Sequence, residues 1–155
     1  MLTADFFLPV SDELIEEAVS HFPNCLGNAT IFNSSSGFPE LPSSGIAILS
    51  IGDYRLSATD GAMDISKSFR QRLYRLHKHE HPITTVDLGA LRPGSTPDDT
   101  RFALSEIVRD LIVAGMMPVV IGGSQDLTLA LHEAYRPFGK LMNITSIDSR
   151  FDSFS

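Results

Sequence analysis

The sequence has 155 residues, of which 43% are hydrophobic and 20% charged, as in one ordinary globular domain. Its formal net charge of -7 argues against nucleic acid as a partner, because phosphate binding needs a basic surface. We expect a cytoplasmic protein that binds no membrane. The sequence has a single cysteine, Cys25, and no leader with a basic and an apolar part. No apolar run approaches the ~20 residues of a membrane span. We expect the Cys25 thiol to be buried or inert.

The first part of the chain predicts a helix, a short strand and a long loop. After ten residues without a clear pattern, Ser11 is a suitable N-cap, and apolar residues follow it at helical spacing until Pro23 ends the pattern. Residues 29–32 are typical of a short strand. Residues 33–45 are rich in Ser, Pro and Gly and predict a loop. We expect this loop to belong to a single domain over 1–155, because the segment before it is too small to fold alone.

From Gly45 onward, short apolar runs alternate with helical patterns. The clearest helix start is at Thr96, a suitable N-cap that Pro97 and two aspartates follow; Gly115 is placed to end this helix. Strands are predicted at 46–51, 83–88, 118–121 and 142–147, and helices at 64–78, 96–114 and 124–135. This alternation predicts an α/β fold of three layers (α/β/α), with a mostly parallel sheet between helices.

The predicted helix over 64–78 carries an apolar face and many basic residues. Its apolar face contains Ile65, Phe69, Leu73 and Leu76, and its basic residues are Arg70, Arg72, Arg75 and Lys78. We interpret the basic residues as a solvated face. His77, His79 and His81 alternate around Glu80, a spacing that a metal site could use. A solvated helix end is the favoured interpretation, since no cysteine or paired carboxylate joins them.

Two polar clusters follow predicted strands, where open α/β sheets place their ligands. Gly122, Gly123 and Ser124 precede a helix and are candidates for anion binding; the alternative is a turn that needs small residues. Asp148 and Asp152 are candidates for half of a divalent-metal site. The alternative is that Arg150 holds the two acids. We expect the two clusters to face one crevice.

The two clusters together resemble motifs of the arginase–agmatinase–formimidoylglutamase superfamily, the ureohydrolases. The family pattern is a strand of the form Pro-Val-x-x-Gly-Gly-Asp-His, a helix, and a strand that ends Asp-Ala-His-x-Asp. This chain has Pro118-Val-Val-Ile-Gly-Gly-Ser-Gln125 and Asp148-Ser-Arg-Phe-Asp152. Upstream, Ile51-Gly-Asp-Tyr-Arg55 and Val86-Asp-Leu-Gly89 are also similar to the family. The resemblance covers roughly residues 45–152 and implies the N-terminal part of an arginase-like fold.

The resemblance also implies which residues would hold the two Mn²⁺ ions of the family. Asp148 and Asp152 are retained ligands. Gln125 and Arg150 replace the two histidines, and the family's last Asp-x-Asp pair is absent. An amide is a poor substitute for imidazole, and a guanidinium cannot bind a metal because it stays protonated. We therefore expect no cofactor in this chain, with Arg150 replacing the metal as the partner of the two acids.

Three functions follow from these observations. The first is a ureohydrolase relative without metal-dependent catalysis. The second is an active metal-dependent C–N hydrolase of guanidino or formimino compounds, completed by a C-terminal half. The third is a small-molecule or anion binder that uses the glycine turn. Since family members often form trimers or hexamers, the resemblance also implies a homo-oligomer.

Overall fold

A computed structural model describes residues 2–20, 23–57, 65–78, 83–139 and 145. The strands within these residues are β1 (Phe7–Leu8), β2 (Thr30–Phe32), β3 (Gly45–Ile51), β4 (Thr85–Leu91) and β5 (Met116–Gly122). The α-helices are α1 (Asp12–Ser20), α2 (Leu26–Ala29), α3 (Ser66–Leu73), α4 (Pro97–Val113) and α5 (Thr128–Tyr135). Short 3-10 helices cover Ala4–Phe6, Gln125–Leu127 and Arg136–Phe138.

The described strands form one mixed, mostly parallel sheet, which confirms the α/β prediction. β3 lies between β4 and β5 and is parallel to both, and it pairs with β5 from Gly45 opposite Met116 to Ile51 opposite Gly122. β2 is parallel to β4, whereas β1 is antiparallel to it. The sequence did not predict β1, because a strand of two residues has no periodicity. The carboxyl ends of β3, β4 and β5 therefore share one edge of the sheet.

α4 and α5 cover one face of the sheet and form the main core with it. Thr96 caps α4 as predicted: its hydroxyl accepts from the Asp99 amide, and the Asp99 carboxylate accepts from the Thr96 amide. Gly115 follows the end of α4 with a φ of 82°, a conformation that favours glycine. The buried apolar residues of this core include Ala47, Leu49, Ile51, Val86, Leu88, Leu104, Val108, Leu111, Leu127 and Ala130.

α1 and α3 pack on the opposite face, and here one prediction was wrong. Arg70 is only 4% exposed, so it does not belong to a solvated basic face. It is buried because its guanidinium reaches the carboxylate of Asp87 on β4, at 2.8 Å. The helix is also shorter than the predicted 64–78, since α3 ends at Leu73.

The predicted loop is well packed along part of its length. The Phe38 ring stacks on the ring of Phe7 with centroids 5.6 Å apart, and Leu41 also packs against the main core. The loop therefore covers the edge of the core beside β1.

Some predictions fall on residues outside the described part. They include the second and third histidines of the 77–81 cluster and most of the predicted strand 142–147. Thr145 is described; it is exposed and belongs to no helix or strand. Cys25 is buried, and its thiol donates to the Arg75 carbonyl at 3.3 Å. No helix among the described residues is long and apolar enough to cross a membrane.

Candidate functional site

The candidate site lies at the carboxyl edge of β3 and β5. Asp53 follows β3 by two residues and is 5% exposed. The guanidinium of Arg55 donates to both carboxylate oxygens, from Nε to Oδ1 at 2.9 Å and from Nη2 to Oδ2 at 2.6 Å. Both carboxylate oxygens of Asp53 are therefore hydrogen-bonded to Arg55, in the two-point geometry in which guanidinium and carboxylate pair most strongly.

Arg55 also binds the loop between β4 and α4. Its Nη1 donates to the Ser95 carbonyl at 2.9 Å, and its Nη2 donates to the Gly94 carbonyl at 3.0 Å. The side-chain hydrogen bond from Arg55 lowers the pKa of Asp53 to about 2, although burial opposes this shift. A charged carboxylate and one arginine therefore hold the ends of β3 and β4 together.

The turn after β5 requires its two glycines. Gly122 and Gly123 have φ values of 81° and 82°, which side chains rarely adopt. A Cβ on Gly122 would lie 2.8 Å from the Ile51 carbonyl oxygen and from the Tyr54 hydroxyl. A Cβ on Gly123 would lie 2.5 Å from Leu127. The packing of this turn is enough to explain both glycines, as the structural alternative predicted.

Ser124, the third candidate for anion binding, already makes hydrogen bonds to the protein. The Ser124 amide donates to the Asp53 carbonyl at 3.0 Å, and its hydroxyl donates to the same oxygen at 3.4 Å. Asp126, two residues further on, places a carboxylate in the 3-10 helix that follows the turn. Both features oppose binding of an anion here, which therefore stays a prediction without support from the geometry.

The retained carboxylates of the resemblance lie outside the described residues, as does Arg150. Whether Asp148 and Asp152 face Gln125 across one crevice thus stays a prediction. Gln125 itself is exposed and begins the 3-10 helix after the glycine turn. In the described part of the chain, no three His, Cys, Asp or Glu side chains are grouped so that they could hold a metal ion.

The donor set at this edge does not fit a binuclear manganese site within the described residues. Both oxygens of Asp53 accept from Arg55. Gln125 can offer a metal only a neutral amide oxygen. The Tyr54 hydroxyl and Oδ1 of Asp126 are buried without a hydrogen-bond partner, but one phenol and one carboxylate are too few to hold two ions.

A buried polar network lies away from this edge, between α3 and the sheet, and sequence reasoning missed it. Asp87, fully buried on β4, accepts from Arg70 at 2.8 and 2.9 Å and from the Tyr74 hydroxyl at 2.7 Å. Arg70 also donates to Ser50 of β3 at 2.9 Å and to the Gly89 carbonyl at 2.8 Å. An aspartate within an apolar strand, after Arg and Tyr at helical i, i+4 spacing, is the signal that could have found it.

The pKa values of Tyr74 and Arg70 are both raised in this network. Burial, and then the charge of Asp87, raise the pKa of the Tyr74 hydroxyl far above its usual value. Burial by itself would lower the pKa of Arg70, but the hydrogen bond and charge of Asp87 outweigh it and raise that pKa. These shifts favour a neutral Tyr74 hydroxyl and a charged Arg70 guanidinium beside Asp87, and the network holds α3 on the sheet.

Comparison with known proteins gives no match: no protein-family model fits the chain, and no curated protein and no solved structure is significantly similar to it.

Proposed function

We propose that this chain is a ureohydrolase-superfamily relative that lacks the binuclear manganese centre and does not catalyse the family's C–N hydrolysis. The observation that carries the proposal is Gln125, at the position where the family motif has its first metal-ligating histidine. A glutamine amide is neutral and a weak donor, so it binds Mn²⁺ far more weakly than imidazole does.

The geometry of the sheet edge supports this proposal. The glycine turn brings Gln125 to the carboxyl end of β5, where open α/β sheets bind ligands. The Ser124 hydrogen bonds place this turn beside Asp53. The charge of Asp53 is already neutralised by Arg55. We propose that Arg150 neutralises Asp148 and Asp152 in the same way, in place of the family's metal.

A hydrolysis assay tests whether this chain is itself an active hydrolase. The purified chain is incubated with Mn²⁺ and one substrate, and the product is measured: urea from arginine or agmatine, or formamide from formimidoylglutamate. We expect no release above that of a buffer blank containing Mn²⁺. Turnover that depends on Mn²⁺ and is lost when Asp148 is replaced by Ala would establish the active hydrolase instead.

A second experiment tests whether residues 125 and 150 surround one site. Gln125→His together with Arg150→His supplies two imidazoles beside the retained acids, and we expect tighter Mn²⁺ binding in a calorimetric titration. The matched control, Gln125→Asn with Arg150→Lys, changes the same positions without adding a ligand. Equal Mn²⁺ affinity of the two variants would contradict the proposed arrangement.

A further inference from the structure

One face of the sheet carries an open apolar groove that the described helices leave uncovered. Its floor is formed by Ile46 and Ile48 of β3 and Val119 of β5, and its wall by Phe69, Leu73 and Leu76 on the α3 side. We call this surface the β3–β5 groove. Its cavity volume is about 310 Å³. It lies beside α3, on the face opposite α4 and α5.

The groove exposes more apolar surface than scattered surface residues explain. Leu76 is 57% exposed and Phe69 40%, and Ile83, at the end of the groove, is 62% exposed. These three residues come from two segments and line the same opening. A contiguous apolar patch of this kind marks an interaction surface.

The shape of the groove fits a helix. In an α/β sheet whose strands are parallel, helices normally cover both faces. α3 reaches the sheet at β4, and the adjoining position over β3 and β5 has no helix among the described residues. A helix placed there would lie beside α3 and set one apolar stripe against the floor and wall of the groove.

The charge at the margin of the groove indicates which polar residues the partner helix carries. Lys78 and His77 line it, and none of its described lining residues is Asp or Glu. Lys78 supplies a positive charge to the lining, and Arg72, exposed and three residues after Phe69 on α3, supplies a second one. This basic margin stands out in a chain whose net charge is -7. Such a margin favours a partner with acidic residues beside its apolar stripe.

We propose that the β3–β5 groove binds an amphipathic helix with acidic flanks, supplied by another polypeptide. The binding mode is that of a helix in a groove, with apolar anchors at i, i+3, i+4 and i+7. The proposal does not depend on the chain's relation to the ureohydrolases, because none of the residues that carry it belongs to the candidate site at the carboxyl edge.

The test uses the whole chain and two synthetic peptides of about 18 residues, long enough for helix formation. Both carry the same leucine stripe; the polar positions are glutamate in one peptide and lysine in the other. Binding is followed by fluorescence anisotropy of the labelled peptides. We expect the acidic peptide to bind at least about tenfold more tightly, a difference of about 1.4 kcal/mol.

Two variants locate the binding. Ile83→Glu places a carboxylate at the exposed end of the groove and should weaken binding of the acidic peptide by about tenfold or more. The matched control is Phe102→Glu, at a residue of α4 that is 66% exposed on the opposite layer; it should leave the affinity unchanged. Circular dichroism and urea unfolding confirm that both variants fold. Lys78→Glu should reduce the preference for the acidic peptide.

Several results would overturn the proposal. Failure of the acidic peptide to bind at millimolar concentration would do so, as would equal binding of both peptides or an unchanged affinity in Ile83→Glu. A concentration-dependent dimer that Ile83→Glu dissociates would assign the groove to a second copy of this chain. Binding that appears only after deletion of residues 140–155 would assign it to the chain's own C-terminal segment.

Discussion

Asp87 is the residue on which the packing of α3 against the sheet depends most. It is fully buried and accepts from Arg70, Tyr74 and the Gly89 amide. Removal of one partner from a buried ion pair leaves an uncompensated charge, which costs much more than the pair itself contributes. Asn has the same shape as Asp but would not compensate for the lost charge, because the guanidinium of Arg70 would remain buried and charged.

We expect Asp87→Asn to lower the free energy of unfolding by about 3–5 kcal/mol, measured by urea denaturation. Tyr74→Phe, which removes only one hydrogen bond to the same carboxylate, should cost about 1.5–3 kcal/mol. Asp98→Asn is the control: Asp98 pairs with Arg101 at 3.2 Å, but its side chain is 80% exposed, so little change is expected. Equal effects at positions 87 and 98 would contradict the role of the buried network.

The lowered pKa of Asp53 predicts how the stability of the protein depends on pH. This pKa falls from 3.8 to about 2 on folding, so the folded state favours the charged carboxylate. The stabilisation is complete at pH values well above the unfolded pKa of about 4 and is lost as the pH falls toward the folded value. Urea midpoints of the wild type and Asp53→Asn should therefore differ at neutral pH and converge on acidification through about pH 4 to 2.

The control for this titration is Asp5→Asn, at an exposed carboxylate of the N-terminal 3-10 helix. It should follow the wild type across the same pH range. A difference between wild type and Asp53→Asn that stays constant down to pH 2 would show that the Asp53–Arg55 pair does not stabilise the fold through charge.

At the scale of elements, the turn between β5 and the following 3-10 helix is the most constrained connection at the site. Gly122→Ala should destabilise the protein by about 1–3 kcal/mol, because the added methyl group is strained at positive φ and contacts the Ile51 carbonyl. Gly52→Ala is the matched control, since a Cβ at Gly52 would meet nothing within 4 Å. Thermal unfolding measures both variants, and equal midpoints would show that the turn tolerates a side chain.

The elements with strong local signals were predicted well. β3 and β5 are mostly apolar runs, and α4 has a cap, a proline at its first position and a glycine after its end, so each is determined by nearby residues. β4, predicted at 83–88, is observed at Thr85–Leu91 and carries the buried Asp87. Arg70 was wrongly assigned to a solvated basic face, because an arginine is buried only when a partner elsewhere in the chain satisfies it. β1 gave no local signal at all, since only its pairing with β4 makes it a strand.

At the scale of the whole molecule, the sequence predicted the α/β class and the mostly parallel sheet, but not how the carboxyl edge of that sheet is held together. The glycine turn and Asp53 lie in loops that follow strands, which places them at one edge of a parallel sheet. The partners of Arg55 are carbonyls of a loop some forty positions later, and no local pattern predicts them. The β3–β5 groove likewise follows from tertiary packing. In the sequence, the apolar residues of its wall have the spacing of an ordinary buried helix face.

The proposed absence of a binuclear metal centre is tested most directly by manganese retention. The chain is dialysed against excess Mn²⁺ and then against metal-free buffer, and manganese per chain is measured by inductively coupled plasma mass spectrometry. Gln125 and Arg150 in place of two histidines predict substoichiometric manganese, indistinguishable from that of an Asp148→Ala, Asp152→Ala double variant. Stoichiometric manganese that survives dialysis and is lost in the double variant would contradict the proposed function.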